Sequence, residues 1–274
     1  MGPIGVFDSG YGGLTILEEF QRRLPAYDYL YLGDNARTPY GNRSFDVVYE
    51  YTLEAVRYLF ECGCPLVILA CNTASAKALR TIQQRDLPQM DASRRVLGVL
   101  RPTVEAIGKL TRSRHVGLLG TRGTVQSGSY PIEISKLYPD IVITSKACPM
   151  WVPLVENGEA DGDGADYFVE KYLKELFHAD PRIDTLILGC THYPLLLPKI
   201  RRQVPEGINI VSQGPYVAES LANYLQRHPE MERQLSKTAK ASCRYLTTEA
   251  PGKFEEMAST FTRSAIHAEQ IHLV

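Results

Sequence analysis

The sequence predicts an α/β protein of two pseudo-symmetric domains, each a mostly parallel sheet flanked by helices, with the active site in the cleft between them. Three observations carry this. Residues 66–69 and 186–188 are continuous apolar runs without alternation, as suits strands buried on both faces of a parallel sheet. Each run leads to a small residue, a cysteine and hydrogen-bonding side chains, in LVILACNTASA from Leu66 and LILGCTHYPLLL from Leu186. A second echo joins IGVFDSGYGGL from Ile4 to VGLLGTRGTVQ from Val116 at a similar offset, so each of two related halves delivers one cysteine from the same topological place.

Composition narrows the partners. With 274 residues the chain has material for one large core or two ordinary ones. A formal net charge of −1 with no basic block gives no electrostatic reason to expect nucleic acid or an anionic membrane, so the expected ligand is a small molecule. No charged leader and no apolar run of membrane-spanning length is present, which reads as cytoplasmic. The six cysteines, Cys62, Cys64, Cys71, Cys148, Cys190 and Cys243, form no CxxC pair, which fits a reducing compartment and argues against structural zinc. All but Cys71 and Cys190 are assigned to packing.

In the first half, a strand over 4–7 runs into Asp8-Ser9-Gly10-Tyr11-Gly12-Gly13 and a helix over 14–24 with Leu14, Leu17 and Leu24 on one face. The glycines permit close backbone approach to an anion, but their spacing is neither that of a dinucleotide fold nor that of a P-loop. Asp8 and Ser9 read equally well as site residues or as turn and cap. A strand over 29–33 precedes the loop 34–43, broken by Pro39, Gly41 and Asn42 and placed to line a site. Ser44 caps a helix to about residue 62, with Val47, Val48, Tyr51, Ala55 and Tyr58 as its apolar face. Asn72 or Thr73 caps a helix running over 75–84, which puts Cys71 near a helix N-terminus whose dipole favours a thiolate. A strand over 96–100 and a helix over 103–110 complete this half.

The second half repeats the order. A strand over 115–119 meets the hydroxyl-bearing loop 120–124, then come a helix over 129–137 and a strand over 141–146. Cys148-Pro149 opens an irregular stretch, and a short helix begins at 154–156, where Glu156 is a carboxylate near the cleft. The acidic, glycine-rich segment 161–166 reads as a solvated loop, and with no histidine beside it no metal is expected. A helix over 167–177 and a strand over 185–188 deliver Cys190. A strand over 208–211, helices over 216–228 and 252–262, and strands over 244–247 and 265–273 close the chain. This tail is expected to pack back on the first half, giving domains 1–97 plus 208–274 and 98–207.

Two thiols facing one another across a cleft can remove a proton from one side of a carbon and return one to the other. At this point the chain resembles the glutamate racemase family, through FDSGYGGL from Phe7, DNARTPYG from Asp34, ACNTASA from Ala70 and GCTHYP from Gly189, in family order over most of the chain. Thr191-His192 follows the second cysteine where aspartate racemases of the same superfamily carry a threonine-glutamate pair. Tyr11 departs from the smaller aliphatic residue common in the family and is expected to alter the loop surface only.

The resemblance implies a cofactor-independent enzyme that interconverts L- and D-glutamate and supplies D-glutamate for peptidoglycan, possible as a homodimer. Cys71 would act on D-glutamate and Cys190 on L-glutamate, assisted by Asp8 and His192 on their respective sides. Substrate-binding residues would be Ser9, Tyr40, Gly41, Asn72, Thr73, Thr121, Thr124 and Thr191. No lysine motif suggests pyridoxal phosphate, so carbanion stabilisation would rest on hydrogen bonds and electrostatics. A buried Asp8 would be a poor neighbour for a resting thiolate, which favours a proton-handling role for it. The alternatives are another two-thiol racemase or isomerase, for example on aspartate, and a redox disulfide, which needs the two Cα atoms within about 7 Å.

Overall fold

Continuous apolar runs become fully buried strands: β1 (Ile4–Asp8), β2 (Tyr29–Gly33) and β3 (Leu66–Leu69) have every residue buried. The computed structural model describes residues 1–238, 241–262 and 265–273; within the tail, Ala239, Lys240, Arg263, Ser264 and Val274 lie outside the described residues. With β4 (Arg95–Gly98), β9 (Cys243–Thr247) and β10 (Ala268–Gln270), the first three strands form a sheet in the order β10-β9-β2-β1-β3-β4. A second sheet has the order β6-β5-β7-β8, from β5 (His115–Gly120), β6 (Val142–Ala147), β7 (Thr185–Gly189) and β8 (Asn209–Val211). All the strand pairs in both sheets are parallel.

Register fixes where the chemistry falls. Phe7 pairs with Leu69, so Asp8 and Cys71 emerge at the same carboxyl edge of the first sheet. Gly120 pairs with Gly189, which brings Thr121 and Cys190 out together at the equivalent edge of the second. Carboxyl edges are where open α/β sheets bind ligands. Alternation along β1 sends Ile4 and Val6 into an apolar cluster continuous with Val104, Leu118 and Ile187 of the second half, while Phe7 packs on the opposite face with Leu32, Val56 and Leu69. The halves therefore share one core rather than touching as separate bodies.

Helix details depart from the sequence reading in instructive ways. Ser44 does cap α2 (Phe45–Glu61), accepting from the Val47 N–H at 3.3 Å, but the buried face is Val48, Ala55, Val56 and Leu59, with Val47, Tyr51 and Tyr58 only half-buried. Helix α3 (Asn72–Lys77) starts earlier than expected because Cys71 caps it with its own thiol; past Ala78 the helical path continues through a π turn, Ile82–Asp86, to Met90. The helix Leu100–Leu110 also starts early, since Pro102 falls in a first turn where its missing N–H has no partner to lose.

The acidic segment 161–166 is not a simple solvated loop. Helix Asp163–Ala179 begins inside it, with Asp163 and Asp166 in the first turn, where a helix favours negative charge. Buried Lys199 donates to the Asp161 and Gly162 carbonyls at 3.0 and 3.2 Å and to Asp166 at 2.5 Å.

The strand grouped with the first half at 208–211 is corrected as well: Asn209–Val211 pairs with β7, Thr185 opposite Asn209 and Ile187 opposite Val211. Consecutive parallel strands joined by a short helical crossover, here Leu197–Gln203, prefer adjacency, and a three-residue strand carries no pattern of its own to say otherwise. The chain leaves the second sheet only after Val211. The helix Gly214–Arg227 then packs on both α1 (Leu14–Arg23) and Leu100–Leu110, and β9 and β10 extend the first sheet beside β2.

Candidate active site

Cys71 follows β3 and occupies the N-cap of α3, where its Sγ accepts from the Ala74 N–H at 3.4 Å and lies 3.2 Å from Ser9 Oγ. The expected thiolate does not result. Burial, and then the charge of Asp8, push the Cys71 thiol up to about 12, outweighing Ser9 and the helix N–H, which act in the opposite direction. Asp8 is itself buried, and burial raises its carboxyl above the usual range against the opposing pull of His192 and the N–H groups of Gly13 and Gly10. Its Oδ2 accepts from the Gly10 N–H at 3.0 Å, while Oδ1 has no hydrogen-bond partner among the described residues. Burial thus pushes both groups in the same direction, the Asp8 carboxyl above its usual range and the Cys71 thiol up to about 12.

The other side is built oppositely. Cys190 follows β7 with its Sγ 3.8 Å from His192 Nδ1, and His192 Nε2 lies 2.9 Å from Glu156 Oε1. Burial works to lower the His192 pKa, but Cys190 and Glu156 more than offset it and raise the value to about 10, so the ring is an imidazolium at neutral pH. A cation beside one sulfur and a carboxyl beside the other make the two halves chemically unequal despite their related topology.

Supporting contacts explain how the loops are held. Tyr40 Oη donates to buried Asp34, which also accepts from Arg37 Nε at 2.7 Å and from the tail residue Thr248 at 2.9 Å, fixing the loop that presents Gly41. Thr121 caps the short helix Arg122–Gln126, accepting from the Thr124 N–H, and its hydroxyl meets Thr73 of the first half at 2.9 Å. Thr15 donates to the Thr191 carbonyl at 3.2 Å. Tyr11 is not a surface feature. It is buried and stacks on Phe254 and Phe261 of the tail, and Phe261 in turn sets its ring edge-to-face with His192 at 5.2 Å.

One cavity of about 50 Å³ gathers most of the expected site: Ser9, Tyr40, Gly41, Cys71, Asn72 and Thr73 from the first half, and Thr121, Cys190, Thr191 and His192 from the second. Asp8 and Thr124 do not line it. Asp8 instead acts on Cys71 through its charge, and Thr124 lies 3.4 Å from Thr73 and 3.1 Å from Thr121. Thr38 and Asn42, from the loop expected to line the site, also face the cavity, as do Arg122, Cys148 and Val152, which were not expected individually. Glu156 was marked only as a nearby carboxylate; its bond to His192 joins segments 36 residues apart and leaves no local signal. Among the described residues no group of three or more His, Cys, Asp and Glu side chains is placed to hold a metal ion, and all six cysteines are free.

A profile of the family described as Asp/Glu/Hydantoin racemase matches residues 12–221. Among curated relatives, the glutamate racemase of Persephonella marina is 40% identical over 271 residues, covering 98% of this chain and 97% of its own. The crystal structure of glutamate racemase isoform RacE1 from Bacillus anthracis superposes with a TM-score of 0.91 at 35% identity, covering 99% of this chain and 98% of that one. That of Francisella tularensis glutamate racemase in complex with D-glutamate has a TM-score of 0.88 at 31% identity, with coverage of 99% and 98%.

Proposed function

The chain belongs to the Asp/Glu/hydantoin racemase family, among its glutamate racemases, and from that premise we propose that it interconverts L- and D-glutamate with Cys71 and Cys190 as facing acid and base. The observation that carries this reading is the delivery of both thiols, from equivalent strand ends of two sheets, to a single cavity.

The unequal surroundings set a direction for the resting enzyme. Cys190, beside the His192 imidazolium, acts as the base that removes the α-proton of L-glutamate, and the Cys71 thiol donates its proton to the opposite face. D-glutamate leaves with the proton on Cys190 and the charge on Cys71, which is the form poised for the reverse reaction. The starting form returns when Cys190 releases its proton to solvent and Cys71 takes one up from solvent, with His192 beside the first thiol and Asp8 beside the second. Charge developing on the substrate is met by the N–H groups opening α3 and by the hydroxyls of Thr73, Thr121 and Thr191. A cavity of about 50 Å³ has room for only a few waters, so the halves must part to admit glutamate and close to shield the carbanion.

The test is incubation of metal- and cofactor-free protein with L-glutamate in deuterated water. Loss of optical rotation accompanied by α-deuterium in the D-product is expected. Turnover of aspartate but not glutamate would move the assignment to another branch of the family. D-glutamate so produced would serve peptidoglycan synthesis, the use known for this family. A cytoplasmic setting is supported by six free thiols, and no helix among the described residues is long and apolar enough to cross a membrane. A homodimer belongs to the same proposal through the family resemblance; light scattering on active enzyme that gave only monomer would remove it.

The histidine gives a pH prediction. Its pKa is raised, so the charged form and the stabilisation it provides are fully present below about pH 6.5, the ordinary histidine value, and are lost as pH climbs through about 10. Turnover of L-glutamate should fall along the same alkaline limb. Glu156→Gln removes one of the groups that raise the value, so the limb should move to lower pH. A limb at the same place in wild type and variant would show that Glu156 does not hold the proton on His192.

A further inference from the structure

Behind the cavity, three buried polar side chains close a ring of hydrogen bonds and a fourth anchors it, all from different elements: Asn72 opens α3, Tyr130 lies on the helix Ser129–Leu137, Gln213 in the turn between β8 and Gly214–Arg227, and the anchor Thr103 on Leu100–Leu110. The Asn72 amide Nδ2 donates to Gln213 Oε1 at 2.6 Å, and Tyr130 Oη donates to Asn72 Oδ1 at 2.8 Å. Gln213 Nε2 donates to Tyr130 Oη at 2.7 Å and to Thr103 Oγ1 at 2.8 Å. Such a network sits in an otherwise apolar interior, where partial satisfaction would be costly.

The ring has a single direction, and the backbone sets it. Thr103 commits its hydroxyl hydrogen to the Val99 carbonyl at 2.8 Å, so towards Gln213 it can only accept. That forces the Gln213 nitrogen to the Thr103 side and its oxygen towards Asn72, which must then present N–H. Asn72 Oδ1 is left facing Tyr130, whose hydroxyl donates to it while accepting the second Gln213 hydrogen. The remaining Nδ2–H of Asn72 is thereby held in one orientation, on a residue that lines the cavity next to Cys71.

We propose that Thr103, Gln213 and Tyr130 are positioning residues for the racemase reaction, locking the Asn72 amide so that its remaining N–H is offered to the substrate and tying the two halves together behind the site. This rests on the glutamate reading above and on Asn72 as a substrate contact. None of the three positioning residues lines the cavity of about 50 Å³; Asn72 is the member of the network that does.

Kinetics in both directions test it. Tyr130→Phe keeps the ring and loses the hydroxyl, and Thr103→Val is nearly isosteric and loses the acceptor. Each is expected to raise KM for both enantiomers by about five- to tenfold with kcat changed by less than about threefold, and Thr103→Ser, which keeps the hydroxyl, should restore a near-native KM. Combining Tyr130→Phe with Asn72→Ala should give a loss within about twofold of Asn72→Ala alone, because both changes remove the same contact. A purely structural role would lower the melting temperature and the active fraction, leave KM unchanged and let the losses multiply; a KM for Thr103→Val within about twofold of wild type would overturn the proposal. If Tyr130→Phe does not fold, the Thr103 pair decides. Wild-type protein inactive on glutamate would instead strike the functional reading itself.

Discussion

Cys71→Ser and Cys190→Ser should each lower glutamate racemisation by about a thousandfold or more, since a serine hydroxyl is a far poorer base and the proposed two-base reaction uses both groups in each turnover. The two enantiomers have equal free energy, so kcat/KM must fall by the same factor in both directions in either variant. Direction-specific roles are therefore invisible in racemisation rates. They become visible with a glutamate carrying chlorine on its β-carbon, because loss of the α-proton and departure of chloride need one base only. Cys190→Ser should still eliminate chloride from the D-form, through Cys71, and Cys71→Ser from the L-form, through Cys190. Elimination from both forms lost equally in both variants, or near-native racemisation in either, would refute one thiol per face.

How much of this site the sequence disclosed depends on whether the signal is local. β1, β3 and β7 are legible because a strand buried on both faces must be apolar throughout, and Cys71 and Cys190 stand out as the polarity change at two such ends. The pairing of Asn209–Val211 with β7 is not legible, since three residues show no periodicity and the choice of neighbour is tertiary. Burial also reversed a local inference: the helix N-terminus does favour a thiolate at Cys71, but desolvation and Asp8 are larger. Tyr11 reads as a loop substitution until Phe254 and Phe261, more than 240 residues away in the chain, are seen to cover it. The Glu156–His192 bond spans 36 residues and the Asn72–Gln213 bond 141, and only folding brings their members within hydrogen-bond reach.

The second large effect is expected from a residue with no functional group. A Cβ at Gly12 would stand 2.2 Å from Thr191 Oγ1, 2.5 Å from His192 Nδ1 and 2.8 Å from His192 Cε1. No strained φ is involved; the loop simply passes too close to the imidazole for a methyl group. Thr191 is buried, and the His192 ring is held by Glu156 on one side and by the edge-to-face contact with Phe261 on another, so it cannot swing aside without losing one of them. In Gly12→Ala the ring should move off Cys190, and a displacement near 1 Å costs about a hundredfold in rate. Overpacking of this kind destabilises by about 1–3 kcal/mol, so the protein should remain folded with a lowered melting temperature. The three atoms nearest the added methyl belong to Thr191 and His192, on the Cys190 side, and none to Cys71. Elimination of chloride from the D-form of the β-chloro substrate should accordingly persist within about threefold while that from the L-form falls with racemisation. Equal loss for both forms would mean that the methyl distorts the whole cleft rather than the Cys190–His192 pair, and undiminished racemisation would mean that the His192 position is not needed for catalysis.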